Sequence, residues 1–500
     1  MRPPSVDRLA RNLADDVRFS MLGHATLVES AREGIRTSPD RPEEAARAVA
    51  LRHVDALLRG VVNATGVLLH TNLGRAPLPA RPTAGAGTRI RYSNVEFNLE
   101  TGARGSRRER VEPLLARLCG AESALIVNNC AAALVLILAA FAKGCGVVVS
   151  RGELVEIGGG FRIPEVLEQS GATLVEVGTT NRTRRRDYES AISNAANDVA
   201  LVLKVHTSNY RITGFTEEVP VHELAGLGPT TVADIGSGLL DARTPWLVSP
   251  GGTTPSLPWL HGEPAVRQTL EQGADLVVFS CDKLLGGPQG GAIVGSAELV
   301  DMCAKHPLAR ALRPGSLVIS ALQDTLLAYE RRDLDSLPFW KMATTSVESL
   351  AKRASAIVDA VGATWCEAIP CESVPGGGTL PGETIDSYGV ALRGSRQRSL
   401  RAFSTPVIAR TSTGSTILDL RTVDTSDDAL LIDAIRLSST DRAQSKTSRA
   451  SEHMEHDRDN DRDDRDNDRD DRDNDRDDRD DRDDDRGDDR DDRDDDRGDE

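Results

Sequence analysis

Asp275-Leu-Val-Val-Phe-Ser-Cys-Asp-Lys-Leu-Leu-Gly-Gly-Pro-Gln-Gly-Gly291 is an apolar strand running into a lysine and then a glycine-rich turn. Lysine is scarce in this chain, with seven among 61 basic residues, so Lys283 at the end of a buried strand is an amine chosen over a guanidinium. A guanidinium keeps its proton at working pH, whereas an amine desolvated in a pocket can lose it and attack a carbonyl as a Schiff-base nucleophile. A lysine capping a strand in solvent has the same local sequence. The rest of the chain decides between the two.

Five further apolar runs, at 124–127, 146–150, 173–177, 200–205 and 231–235, alternate with helical segments and join 275–280 as strand candidates. Fully apolar strands separated by helices predict an α/β fold, a mainly parallel sheet sandwiched by helices. Ligands of such sheets sit beyond the carboxyl ends of the strands. Residues 1–60 read as a small helical domain: Leu9, Leu13 and Val17 recur at helical spacing, and a second amphipathic stretch runs from Ala45 to Leu58. The large domain spans 61–335, and helices at 316–330 and 341–360 lead to a smaller α+β unit over 336–438 with a strand-like segment at 417–423. Residues 439–500 are an Asp/Arg repeat with nothing to bury, for which disorder is expected.

The net charge of -17 belongs to that tail. Residues 451–500 hold 29 acidic and 12 basic side chains, leaving 49 of each in residues 1–450. The N-terminal segment is nearly neutral and offers no electrostatic footprint for nucleic acid. Seven cysteines without a Cys-x-x-Cys pair or a metal-ligand spacing predict reduced thiols, a cytoplasmic setting and no metal. No signal peptide or bilayer-length apolar run is present, so no membrane association is expected.

Asp234, at the end of the strand in Val232-Ala-Asp-Ile-Gly-Ser-Gly238, is placed to keep a pyridine nitrogen protonated so that the ring acts as an electron sink. Asn128-Asn-Cys-Ala-Ala-Ala133 turns a strand into an apolar helix whose free amides suit a phosphate. With Lys283, the two describe a pyridoxal phosphate site whose phosphate turn is Asn128, Asn129 and Cys130. His206, Ser208 and Asn209, after another strand, are candidates for contact with the ring and its phenolic oxygen. Loop residues bonded to their own backbone remain the alternative for each.

Long ordered motifs carry a resemblance: Asn63-Ala-Thr-Gly-Val-Leu-Leu-His-Thr-Asn-Leu-Gly-Arg-Ala-Pro-Leu78, Tyr92-Ser-Asn-Val-Glu-Phe-Asn-Leu-Glu-Thr-Gly-Ala-Arg-Gly-Ser-Arg107, Ser150-Arg-Gly-Glu-Leu-Val-Glu-Ile-Gly-Gly-Gly-Phe-Arg-Ile-Pro164, Val205-His-Thr-Ser-Asn-Tyr-Arg-Ile-Thr-Gly-Phe-Thr216 and Asp282-Lys-Leu-Leu-Gly-Gly-Pro-Gln289. Up to about residue 438 the chain resembles bacterial L-seryl-tRNA(Sec) selenium transferase. The resemblance implies a fold-type-I pyridoxal phosphate enzyme, with Lys283 forming the imine and Asp234 under the pyridine nitrogen. It implies conversion of seryl-tRNA(Sec) to selenocysteinyl-tRNA(Sec) by selenophosphate through an aminoacrylyl intermediate.

It further implies that Arg75, Arg310 and Arg313 hold the selenophosphate, that residues 1–60 hold tRNA, and that the protein is a homo-oligomer of dimers assembled into a ring. Guanidinium forks suit tetrahedral oxyanions. Arg310 and Arg313, three apart, would share one face of a helix. Three positions depart from the family pattern. Cys130 replaces an asparagine, Cys281 replaces a glycine and brings a thiol near Lys283, and Pro314-Gly-Ser316 replaces a more polar segment. The rival readings are another fold-type-I lyase or aminotransferase acting on a free small amino compound, and a binding protein without catalysis.

Overall fold

The computed structural model describes residues 4–79, 92–157, 160–248 and 252–438. The Asp/Arg repeat lies outside the described residues.

The chain opens on helices α1 (Val6–Ala14), α2 (His24–Thr37) and α3 (Pro42–Asp55). Ser5 caps α1 by accepting from the Arg8 N–H at 3.3 Å, and Pro42 starts α3 where a missing N–H leaves no bond unmade. Leu9, Leu13, Phe19, Leu27, Ala31 and Val54 close a core of their own. The helical spacing fails at both of its ends. Asp16 caps a separate single turn that leaves Val17 81% exposed, and α3 stops at Asp55, so Leu58 stands fully in solvent.

Strands β1 (Val62–Ala64) and β2 (Val67–Leu69) come next, then α4 (Arg108–Cys119), β3 (Ser123–Val127), α5 (Cys130–Phe141) and β4 (Gly146–Ser150). A short antiparallel pair, β5 (Glu156–Ile157) and β6 (Phe161–Arg162), precedes α6 (Ile163–Ser170), β7 (Thr173–Val177), α7 (Arg185–Ser193) and β8 (Val199–Val205). The α/β segment ends with α8 (Val221–Leu224), β9 (Thr230–Gly236), α9 (Val266–Glu271), β10 (Leu276–Ser280) and β11 (Gly291–Gly295).

Seven of these strands form one sheet in the order β3, β11, β10, β9, β8, β4, β7. Neighbours from β10 to β7 are parallel, as expected of apolar strands linked by helices. β11 is antiparallel to both β10 and β3 and is absent from the sequence expectation, because Gly291-Ala-Ile-Val-Gly295 reads as the end of a glycine turn. Its first glycine is required: a side chain there would run into the backbone of Asn129 and Cys130. Along β10, Val277 and Phe279 enter one core, while Leu276 and Val278 enter the core on the opposite face. Each such side chain contributes about 1.5–3 kcal/mol of burial.

α4 and β3 meet at a buried carboxylate. Glu112 accepts from the Ile126 N–H at 3.1 Å and from Arg108 Nε at 2.9 Å, yet burial outweighs both and pushes its carboxyl up to about 7. The folded state therefore binds the proton more tightly than the unfolded chain, and stability falls as pH rises through the window up to about 7. Glu112→Gln, which keeps an acceptor for Ile126 without the charge, is expected to flatten that fall. A melting-temperature series from pH 5 to about pH 8 checks it.

Helices α10 (Ala297–Lys305), α11 (Pro307–Ala311), α12 (Ser316–Arg331), α13 (Pro338–Thr344) and α14 (Val347–Val361) lead into β12 (Cys366–Gly376), β13 (Ile385–Arg393), α15 (Gln397–Arg401), β14 (Val407–Ser412), β15 (Ser415–Asp419) and α16 (Asp428–Ser438). The second sheet has the order β1, β14, β15, β13, β12, β2, so residues 62–69 pair with C-terminal strands rather than with the large sheet. The strand expected over 417–423 ends at Asp419, and a single 3-10 turn comes after it. Asp419 causes the break: its buried carboxylate caps the turn at the Arg421 N–H (3.1 Å) and accepts from Ser373 (2.9 Å) and Ser387 (2.6 Å).

Candidate functional site

The chain carries Cys130, His206 and Lys283 just beyond the carboxyl ends of β3, β8 and β10, and Asp234 within β9 near its carboxyl end. Gly236 marks the centre. A Cβ built on it would lie 3.7 Å from Lys283 Nζ, 3.7 Å from Ser208 Oγ and 3.9 Å from Asp234 Oδ1. No two of those atoms can then be farther apart than the sum of their two distances, a span that suits a pyridine ring with an imine at one end and a hydrogen bond at the other. Lys283 is 7% exposed and Ser208 is 1% exposed. The φ of +63° at Gly236 favours glycine, which also leaves this space open.

Burial pushes the Asp234 carboxyl up, opposed by the charge of Lys283, the Cys130 thiol and the Gly236 N–H. Gly236 donates to Oδ1 at 3.0 Å and the Cys130 thiol donates to the same oxygen at 3.5 Å. Burial, then the Asp234 charge, pushes the thiol well up, so it remains a protonated donor. A buried anion with few donors is costly unless a cation completes it. A protonated ring nitrogen is such a cation.

Asn129 caps α5, its Oδ1 accepting from the Ala132 N–H at 2.8 Å. The amides of Cys130 and Ala131 open the helix, ahead of its own hydrogen-bond ladder, where an anion is favoured. Asn128 serves a different purpose. Its backbone N–H donates to the Leu312 carbonyl at 2.9 Å, and its amide, with nitrogen facing them, reaches the carbonyls of Leu312 (2.7 Å) and Arg313 (3.0 Å). It ties the turn ahead of α5 to the segment carrying Arg313.

His206 donates its backbone N–H to the Asp234 carbonyl at 2.8 Å. Its Nε2 and Ser208 Oγ are buried without hydrogen-bond partners. Asn209 turns away from this centre and donates to the Glu156 carbonyl at 2.7 Å. A cleft of about 700 Å³ reaches His206 and Asp234 and continues past Tyr210, Arg211 and Glu263, although Lys283 is not on its wall. Glu263 escapes sequence reasoning because a lone glutamate in a loop carries no spacing signal.

Arg75 Nη1 pairs with Asp282 Oδ2 at 2.8 Å, beside the lysine. Arg313 Nη1 lies 3.4 Å from Glu96, which Arg107 (3.1 Å) and Arg104 (3.2 Å) also share. Three guanidiniums around one carboxylate leave surplus positive charge. The shared helical face expected for Arg310 and Arg313 does not form: α11 ends at Ala311, with Arg310 exposed on it and Arg313 beyond it. Pro314, whose carbonyl accepts from Arg107, comes directly after Arg313 and stands three residues past the end of α11. Cys281 does not crowd the lysine. It is fully buried in the core, with Gly290 beside its sulfur.

The orphaned Ser208 Oγ, the open space at Gly236 and the buried Asp234 carboxyl fit pyridoxal phosphate. Gly236→Ala puts a methyl in that space at a backbone angle costing about 1–2 kcal/mol. It is expected to weaken pyridoxal phosphate binding about tenfold or more, measured by absorbance titration.

A family model, L-seryl-tRNA selenium transferase, matches residues 61–424. The L-seryl-tRNA(Sec) selenium transferase of Solidesulfovibrio magneticus is 43% identical over 472 residues, covering 87% of this chain and 97% of that protein. The proteins of the same name from Geobacter sulfurreducens (87% of this chain, 98% of that one) and Moorella thermoacetica (83% and 87%) are each 42% identical. Among solved structures, a D-glucosaminate-6-phosphate ammonia-lyase aligns with a TM-score of 0.53 at 20% identity, covering 77% of this chain and 97% of that one. That likeness concerns the fold, which is the fold type I of pyridoxal phosphate enzymes. By the extent of the family match and the identity with its members, the chain belongs to the L-seryl-tRNA(Sec) selenium transferase family.

Proposed function

We propose that the protein converts seryl-tRNA(Sec) to selenocysteinyl-tRNA(Sec) with selenophosphate as the selenium donor and pyridoxal phosphate as cofactor. The observation that carries this reading is the convergence of Lys283 Nζ, Asp234 Oδ1 and the orphaned Ser208 Oγ on the space over Gly236, in a chain of this family. When bound, pyridoxal phosphate supplies an aldehyde that captures an amine and a ring that takes up the electron pair left at Cα.

The residues of the chain divide the remaining work. Lys283 would hold the cofactor, and its ε-amine, when free, would accept the seryl Cα proton. Asp234 holds the proton on the ring nitrogen. The amides of Cys130 and Ala131, behind the Asn129 cap, take the phosphate, and Ser208 supplies a hydroxyl at the ring. Loss of the Cα proton and the seryl hydroxyl would remove water; addition of the donor's selenium at Cβ and a proton at Cα, with water cleaving the donor's P–Se bond to release phosphate, would complete the exchange.

Surplus guanidinium charge supports a donor site at Arg313, joined through Asn128 to the phosphate turn, with Arg310 exposed nearby. Arg75 contributes there by sharing its charge between Asp282 and the donor. The separate core of α1–α3 supports residues 1–60 as the tRNA-holding module, with the cofactor domain over 61–335 and the small domain over 336–438 after it. Assembly into dimers within a larger ring completes this reading. No helix among the described residues is long and apolar enough to cross a membrane, in keeping with a cytoplasmic enzyme.

Purified protein with pyridoxal phosphate, seryl-tRNA(Sec) and selenophosphate is expected to yield selenocysteinyl-tRNA, identified by the mass of the released amino acid. Removing residues 1–60 is expected to abolish that turnover. A truncated protein with undiminished activity on a free amino compound, and no product from seryl-tRNA in the full chain, would favour the small-molecule lyase.

A further inference from the structure

Three buried polar atoms near the cleft lack hydrogen-bond partners: His206 Nε2, Ser208 Oγ and Glu263 Oε1. The cofactor accounts for Ser208 Oγ alone. It does not account for Glu263, a carboxylate only 8% exposed that no step of the proposed reaction uses. A folded chain keeps such a group where another interaction depends on it.

The local structure shows how much of the fold holds this glutamate in place. A single 3-10 turn, Pro258–Leu260, buries Trp259 and Leu260. The Trp259 ring packs against Phe339 and Trp340 at centroid distances of 6.5 and 6.3 Å. The Glu263 N–H donates to the Leu260 carbonyl at 3.2 Å, and three residues on, the Val266 N–H donates to the Leu239 carbonyl at 2.8 Å. The backbone on either side of Glu263 is thus fixed. Its Oε2 lies 3.5 Å from His206 Nε2, longer than a good hydrogen bond and short enough for a small ring rotation to close. His206 is anchored in turn through its backbone to the Asp234 carbonyl.

We propose that Glu263 is a positioning residue for His206: its carboxylate accepts the Nε2 proton, fixing which ring nitrogen carries hydrogen and the angle of the imidazole beside the cofactor. The carboxylate-histidine pair then does for an organic cofactor what a carboxylate behind a histidine does wherever the tautomer matters. The inference rests on the reading of this site as one for pyridoxal phosphate. It adds a residue that reading does not need.

A double-mutant cycle on the full chain tests it, with pyridoxal phosphate affinity from absorbance titration as one readout and the melting temperature of the cofactor-free protein as the other. Glu263→Gln keeps the shape and removes the charge; His206→Gln removes the ring. Each is expected to weaken pyridoxal phosphate binding about fivefold or more, and the double variant to bind no worse than the weaker single one. Glu263→Asp, which retains an anionic acceptor, is expected to recover part of the loss. The cofactor-free melting temperature of Glu263→Gln is expected to equal or exceed that of the wild type, because a buried charge has gone. Unchanged affinity in Glu263→Gln, or losses that add in the double variant, would overturn the pairing while leaving the cofactor reading intact. Wild-type protein that binds no pyridoxal phosphate would overturn both.

Discussion

Lys283→Met protein is expected to form selenocysteinyl-tRNA at least about 10³-fold more slowly than the wild type, because one amine serves as both covalent anchor and general base. Methionine preserves the length of the stem inside a site where Lys283 is 7% exposed. The fold should therefore survive, and an unchanged melting temperature would separate lost chemistry from lost structure. Arginine in its place should be no better, since a guanidinium cannot release its proton. Rates within tenfold of wild type in either variant would remove Lys283 from the reaction.

Asp234→Asn is expected to move activity and stability in opposite directions. Burial pushes this carboxyl up, so its ionised form is costly in the cofactor-free protein, offset by the Lys283 charge, the Cys130 thiol, the Gly236 N–H and His206. Replacing it with a neutral amide relieves that cost, and the melting temperature without cofactor should rise. With pyridoxal phosphate bound, the same change leaves a ring nitrogen without its counter-charge. Breaking a buried pair of this kind costs roughly 3–5 kcal/mol, or about 10²–10⁴ in rate. Parallel measurement of melting temperature and turnover checks both signs. A variant both less stable and fully active would show that Asp234 serves the fold alone, and this stability–activity opposition is what a strained functional site should display.

The contrast between these two residues and the arginines explains how much of the site is legible in the sequence. Asp234 lies two residues inside the end of β9 and Lys283 three residues past the end of β10, and each strand fixes the depth and direction of the residues at its carboxyl end. Period and length are enough to place them, as they are for β8, β9 and β10. Arg310 and Arg313 lie in a stretch where the helix ends after five residues, so their spacing of three predicts a shared face that the backbone does not form. Asn128 and Asn209 sit in turns, where a side-chain amide can bond to any nearby carbonyl. Sequence places them near the site without saying which way they point. Glu263 depends on a turn pinned by Trp259 and by the exit of β9, contacts with no local signature. β1 and β2 show the same limit at larger scale: two three-residue strands whose partners lie more than 300 positions away.

Borohydride reduction of the protein with pyridoxal phosphate, then peptide mass analysis, tests the central claim most directly. A single pyridoxyl group is expected on the peptide carrying Lys283, and none on that peptide in Lys283→Met. A label distributed over other lysines, or no label at all, would contradict it.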